Sequence, residues 1–122
     1  MTAALFIIVG RVVLGGFFVI AGIRNFLHFA ERRSPVTNYG WKLPTPVVAT
    51  GFAAQIVAGL SVLAGFGTIW GAGVLIVFLV VATELFHNFL MFSGKDRDPH
   101  LYLTLVNTAL VGYCLLVIGT SL

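Results

Sequence analysis

The segment Thr83-Glu84-Leu85-Phe86-His87-Asn88 closes a long apolar run that begins near Ile69. A carboxylate, an imidazole and an amide therefore end a stretch built otherwise from Val, Leu, Ile, Phe, Ala and Gly. On a helix, Glu84 and His87 are three residues apart and share a face. Because an ionisable side chain is costly to place in lipid, it normally faces a bundle interior and has a partner there. The segment therefore predicts a helix bundle with polar groups inside.

The composition is that of an integral membrane protein. Hydrophobic residues make up 59% of the 122 residues and charged residues only 9%, with a mean hydropathy of +1.05. A soluble domain of this size needs far more polar surface. At ~20 residues per span, the chain has room for four helices and short loops. We predict an all-α fold, a polytopic membrane protein with an antiparallel four-transmembrane-helix bundle, as a single domain over residues 1–122.

The apolar runs are separated by loops that hold the Pro residues, glycine turns and most charges. The expected spans are about residues 3–29, 47–64, 68–92 and 100–119. Lys and Arg counts set the orientation of such spans. The first and third connections hold Arg24, Arg32, Arg33, Lys42, Lys95 and Arg97. The termini and the turn at residues 65–67 hold none, so we expect both connections in the cytoplasm and both termini outside it. The net charge of +3 is thus a topology signal and does not indicate nucleic-acid binding.

Each span carries small or polar residues at helical spacing, which we expect to face the bundle because glycines let a neighbouring helix approach closely. The four stripes are Arg11, Gly15, Phe18, Gly22 and Asn25; Gly51, Gln55 and Gly59; Gly73, Val77, Val80, Glu84 and His87; and His100, Thr104, Asn107, Val111 and Cys114. Antiparallel packing places most of their polar groups in the cytoplasmic half. The outer half is nearly pure hydrocarbon.

This half is the candidate site, a pocket for a quinone ring or a lipid headgroup. Its expected residues are Arg24, His28, Glu84, His87, Asn88 and Asn107. Arg11 and Gln55 fall near mid-membrane and are expected to pair in a structural polar network. A buried polar network that only fixes the register of the helices is the alternative for the whole set.

No metal site and no catalytic residue are predicted. Glu84 and His87 form one Glu-x-x-His pair, whereas di-metal helix bundles need two such pairs and further carboxylates. A single metal held by Glu84, His87 and either His28 or His100 is chemically possible. Haem is not expected, because the three His residues crowd one membrane boundary.

Several short motifs, in order along the chain, match one family pattern. They are Gly10-Arg11-Val12-Val13-Leu14-Gly15 with Ala21-Gly22-Ile23-Arg24; Gly40 with Leu43-Pro44-Thr45-Pro46; Gln55 with Gly59 and Gly65; His87-Asn88-Phe89; and Asn107-Thr108-Ala109-Leu110. Together they resemble the DoxX family of small four-helix membrane proteins. The chain departs from that pattern at Gln55, where the family usually has Glu, at Val106, often Lys, and at Arg24, commonly Lys. The first two departures remove charges and argue against proton transfer through the bundle centre.

The resemblance implies a location and two hypotheses for function. Some family members resemble membrane subunits of thiosulfate:quinone oxidoreductases, and others accompany redox or stress complexes. The first hypothesis is an accessory, stabilising subunit of a larger respiratory or redox membrane complex, with the lipid bilayer and other integral membrane subunits as partners. The second is a quinone-linked redox subunit with a quinone or bound phospholipid at Glu84 and His87. Neither predicts an enzyme acting alone, and both place the chain in a bacterial cytoplasmic (inner) membrane.

Overall fold

The computed structural model describes residues 2–122. Within these residues the chain forms five α-helices and two short 3-10 helices, with no strand. The α-helices are α1 (Ala3–Leu27), α2 (Phe29–Arg32), α3 (Thr45–Ala64), α4 (Thr68–Phe86) and α5 (Arg97–Ser121), and the 3-10 helices are Phe89–Met91 and Gly94–Asp96. The helices α1, α3, α4 and α5 are long and apolar enough to cross a membrane. The predicted all-α fold with four spanning helices is confirmed.

The four long helices pack in chain order. The helix α1 packs on α3, α3 on α4, and α4 on α5, while α5 approaches α1 where the Tyr113 hydroxyl donates to the Gly10 carbonyl. All four contribute to one core. Its largest fully buried side chains are Leu14, Phe18, Val62, Leu75 and Cys114. Most large apolar side chains on the outer faces are exposed, as expected where lipid covers the surface.

The predicted inward stripe of α1 is confirmed. Gly15, Phe18 and Gly22 are buried, and a Cβ at Gly15 would lie 2.5 Å from the backbone nitrogen of Leu63 and 2.6 Å from the carbonyl oxygen of Gly59. The backbones of α1 and α3 therefore touch at these glycines, which is the packing that small residues permit between membrane helices.

The turn between α3 and α4 is also as expected. Gly65 and Gly67 have φ values of +77° and +62°, a left-handed conformation that favours glycine. The Ser61 hydroxyl lies 2.5 Å from the carbonyl oxygen of Phe66 and 3.0 Å from that of Gly67. These contacts satisfy carbonyl groups that a turn inside an apolar medium would otherwise leave unpaired.

The predicted inward face of α4 is wrong. Val77 and Val80 are 63% and 54% exposed, and a Cβ at Gly73 would meet nothing within 4 Å. The buried residues of this helix are instead Thr68, Gly71, Ala72, Leu75 and Leu79. Gly71 sets the rotation, because a Cβ there would lie 2.7 Å from the Ser61 hydroxyl oxygen.

Five helix ends differ from the predicted spans; two of these are small extensions, α3 beginning at Thr45 and α5 ending at Ser121. The first span divides after Leu27, and α2 follows as a separate short helix. The third ends at Phe86 because the Asn88 side chain accepts the Leu90 N–H, a local bond that competes with helix. The fourth begins at Arg97, and Pro99 lies in its first turn, where the missing N–H breaks no intrahelical bond.

Candidate functional site

The carboxyl end of α4 is held by groups from two other parts of the chain. Asn38 donates its backbone N–H to the Leu85 carbonyl (2.7 Å) and its side-chain amide to the Glu84 carbonyl (2.9 Å). The Thr104 hydroxyl of α5 donates to the His87 carbonyl (2.7 Å). The last carbonyls of a helix have no intrahelical partner. Here the loop before α3 and the helix α5 supply those partners, so this helix end is a junction of three segments.

The Glu84 carboxylate takes its hydrogen bonds from neutral groups at this junction. The Tyr39 hydroxyl donates to Oε1 of Glu84, and the Asn88 amide donates to the same oxygen (3.3 Å). Glu84 and Tyr39 are exposed and Asn88 is half-buried. Tyr39, predicted only as an interface aromatic, therefore ties the first loop to the end of α4.

This hydrogen bond predicts a pH dependence. The bond to Glu84, with a smaller effect of burial and of the Glu84 charge, raises the pKa of Tyr39 above its ordinary value of 10.0. The folded state thus favours the neutral phenol. The contribution of the Tyr39–Glu84 hydrogen bond to stability is fully present below pH 10.0 and is lost as the pH rises through the raised pKa.

We expect the pKa of Tyr39 to lie above 10.0. It is measured from the ultraviolet tyrosinate absorbance of the wild type minus that of Tyr39→Phe. In Glu84→Gln, which lacks the carboxylate charge, it should move back toward that value. A titration of Tyr39 that Glu84→Gln leaves unchanged would contradict the assignment.

His87 turns to a different partner from Glu84. Its Nδ1 lies 3.2 Å from Nδ1 of His100, so one ring donates and the other accepts. The ring of Phe92 stacks on His100 with centroids 3.8 Å apart and planes at 11°. Glu84 and His87 do not interact with each other, although they were expected to share a helix face. His87 ends α4 with φ −131°, and its ring contacts His100 of α5 instead.

Two amide hydrogen bonds join the helices near this end. Asn107 donates to the Thr83 hydroxyl (2.9 Å), which ties α5 to α4, and Asn25 donates to Oε1 of Gln55 (3.0 Å), which ties α1 to α3. Gln55 is only 4% exposed. The expected pairing of Arg11 with Gln55 is therefore wrong.

Arg11 lies against Gly65 at the other end of α3, because α1 and α3 pack with Gly15 opposite Gly59 and Gly22 opposite Ile56. That places Arg11 at the level of the turn between α3 and α4. Arg11 and Gln55 thus lie at different levels of the bundle and not at the same depth as expected, and Asn25 takes the partner that was assigned to Arg11.

The structure brings together only part of the predicted site. Glu84, His87, Asn88 and Asn107 all lie at the α4 junction. Arg24 and His28 are exposed at the end of α1, and within residues 2–122 no side-chain hydrogen bond joins either of them to Glu84. The two clearest surface depressions lie elsewhere, one at Pro46, Val47, Thr50 and Gly51, the other between α4 and α5.

The predicted site omitted Asn38, Tyr39, His100 and Thr104. The last two stood on the predicted polar stripe of α5, so their spacing from Asn107 was a usable signal. For Asn38, 46 residues before Glu84, the sequence offered none. Across the described part of the chain, no three His, Cys, Asp or Glu side chains come close enough to hold a metal ion.

The chain was compared with protein families, curated proteins and solved structures. The DoxX family model matches residues 6–88, which include most of α1, all of α3 and α4, and Glu84 and His87. No curated protein and no solved structure matches the chain. The match covers more than half of the 122 residues and agrees with the four apolar helices. The chain therefore belongs to the DoxX family of membrane proteins.

Proposed function

We propose that this chain is an accessory subunit that binds and stabilises a larger membrane assembly, by receiving a spanning helix of a partner subunit between α4 and α5. The observation that carries the proposal is an apolar groove on that side. It is lined by Ile69, Trp70, Gly73, Val74, Val77 and Ile118. In a bilayer such a groove is filled either by lipid chains or by another helix.

Gly73 favours a helix as the occupant. Glycine costs about 1 kcal/mol relative to Ala inside a helix, so an interior glycine usually has a packing role. Gly15 and Gly71 have such a role within the chain, because a Cβ at either would lie closer than 3.0 Å to a neighbouring helix. At Gly73 a Cβ would meet nothing within 4 Å. A small residue with open space next to it allows another membrane helix to approach closely.

The chemistry of the groove also indicates the kind of partner. Its lining contains no charged side chain, and Trp70 and Val77 are 82% and 63% exposed. An apolar membrane span fits this surface, and a soluble partner does not. At the opposite end of α4, polar side chains bond mainly to one another. The chain thus presents a surface for assembly more than a cavity for a substrate.

The proposal carries an orientation and a location. The Lys and Arg side chains of the two longer connections support a cytoplasmic position for the junction at Glu84, with both termini on the other side. The location that the family implies is the bacterial inner membrane, where respiratory or redox complexes are the candidate assemblies.

The test is the size of the native assembly in membranes solubilised with mild detergent, measured by native electrophoresis with identification of the co-migrating chains. We expect the wild type in a band with other membrane subunits and Gly73→Leu, which fills the groove, at the size of the free chain. Gly112→Leu is the matched control, because Gly112 is also helical and open but does not line the groove. A wild type that migrates alone, or only with its own copies, would overturn the proposal.

The second candidate is a quinone-linked redox subunit. It is favoured by the half-buried pair of His87 and His100, one donor and one acceptor, beside the exposed carboxylate of Glu84. Such groups suit hydrogen bonding to a quinone carbonyl and proton supply on its reduction. Quinone that is retained by the purified native assembly, and lost in His87→Ala while the assembly stays intact, would favour this candidate over a purely accessory role.

A further inference from the structure

Arg11 is a cation held in place inside an apolar span. Its guanidinium packs against Gly65, since a Cβ at that position would lie 2.8 Å from Cζ and from Nη2 of Arg11. Gly65 also has φ +77°, so glycine is needed there both for the conformation of the turn and to leave room for the guanidinium. The side chain as a whole is half-buried. The turn thereby fixes where the charge points.

No acidic side chain of the described residues supplies a counter-charge at this end. Nε of Arg11 is shielded from solvent and has no hydrogen-bond acceptor among the described residues. Residues 1–10, 45–83 and 99–122 contain no Asp, Glu, Lys or Arg. Arginine stays charged in proteins, and an unpaired charge in an apolar medium is strongly disfavoured. The guanidinium is therefore free to take an anionic acceptor from outside the chain.

The neighbourhood indicates which acceptor is in reach. Phe66 and Trp70, at the same turn, are 85% and 82% exposed, and Trp is enriched at membrane–water interfaces. Arg11 is eight residues from the start of α1 at Ala3, about 12 Å along the helix axis. Arg side chains at such depths extend along apolar surface until the charged head reaches the headgroups.

We propose that Arg11, seated on the turn at residues 65–67, binds the phosphate of an anionic phospholipid from the leaflet at this end of the bundle. The planar guanidinium donates in a fork that matches phosphate oxygens. The site lies at the other end of the bundle from the Glu84 junction, and Arg11, which binds the phosphate, does not line the groove at Gly73. It therefore stands or fails independently of the proposed accessory function.

The test uses the purified full chain in a non-ionic detergent, incubated with phosphatidylglycerol or with phosphatidylcholine, and counts bound lipid by native mass spectrometry. We expect the wild type to bind phosphatidylglycerol in preference to phosphatidylcholine. In Arg11→Gln the apparent affinity for phosphatidylglycerol should fall about tenfold, the effect of losing a charge-assisted hydrogen bond. Arg33→Gln, which removes the same charge from the exposed end of α2 and lies outside the candidate headgroup pocket, should bind as the wild type does.

Three results would overturn the proposal. They are equal binding of the two lipids by the wild type, unchanged binding in Arg11→Gln, and an equal loss in Arg33→Gln, which would mean that net charge alone attracts the lipid. Far-ultraviolet circular dichroism and elution volume show whether each variant is folded. If Arg11→Gln does not fold, the comparison passes to Arg11→Lys. This variant keeps the charge but not the fork, and its affinity for phosphatidylglycerol should fall while that for phosphatidylcholine stays low.

Discussion

Gly15→Ala is expected to lower the free energy of unfolding by about 3 kcal/mol, the upper part of the usual range for overpacking. The added methyl group would lie 2.5 Å from the backbone nitrogen of Leu63 and 2.6 Å from the carbonyl oxygen of Gly59. Backbone atoms cannot rotate away as a side chain can, so α1 must move off α3. The movement would also loosen Phe18, which packs beside Gly59.

The neighbouring glycine provides the control. A Cβ at Gly16 would meet only the end of the Leu63 side chain, at 3.9 Å. Gly16→Ala should therefore be neutral or stabilise by up to about 1 kcal/mol, the difference in helix propensity between Gly and Ala. The free energy of unfolding of both variants would be measured by titrating the purified chain with SDS in mixed micelles, with circular dichroism as the readout. Equal stability of the two variants would contradict the packing of α1 on α3.

The face of α1 could be predicted from sequence because its polar and small residues are few and regularly spaced. Arg11, Gly15, Gly22 and Asn25 differ clearly from the Val, Ile and Phe around them, so one helical stripe stands out. The same holds for α5, where His100, Thr104 and Asn107 bond to the end of α4 as their spacing suggests. In an apolar medium such residues have few stable places other than the bundle interior.

The face of α4 could not be predicted in this way. This helix is apolar on all sides and carries Gly71 and Gly73 only two residues apart, on different faces. The sequence does not say which glycine meets α3. The Ser61 side chain decides it, since Ser61 bonds to the turn and Gly71 leaves room for it. The polar residues at the end of α4 suggested the other face, but they lie at its end, where a loop donates hydrogen bonds to Glu84.

The sequence singled out the polar segment from Thr83 to Asn88 but not its partners. It also did not show that Glu84 is exposed and does not face the bundle interior as expected. Its principal partners, Asn38 and Tyr39, come from a loop 45 or 46 residues earlier in the chain. A loop has no periodicity, so no pattern links it to a distant helix end. The sequence also could not show the register in which α1 packs along α3. In this register Asn25 donates to Gln55, and Arg11 lies at the turn between α3 and α4.

Phe18→Ala is expected to destabilise the fold by about 3 kcal/mol, the lower end of the range for deleting a buried aromatic ring. Phe18 is 1% exposed and is among the largest fully buried side chains. The lower end applies because helix association in lipid has little hydrophobic driving force. The destabilisation therefore comes mainly from lost packing contacts and from the cavity that the smaller side chain leaves. The same SDS titration measures it.

Phe17→Ala is the matched control, since Phe17 is 48% exposed and forms an edge-to-face pair with Phe18 at 5.1 Å. Each variant loses that aromatic contact, worth about 1 kcal/mol, so the contact cancels in the comparison. What remains is the burial of Phe18 between the helices, whereas lipid chains can occupy the space that Phe17 leaves. We expect Phe18→Ala to be less stable than Phe17→Ala by about 2 kcal/mol. A reversed order would mean that α1 is rotated by one residue, and it would remove Gly15 from the contact with α3 as well.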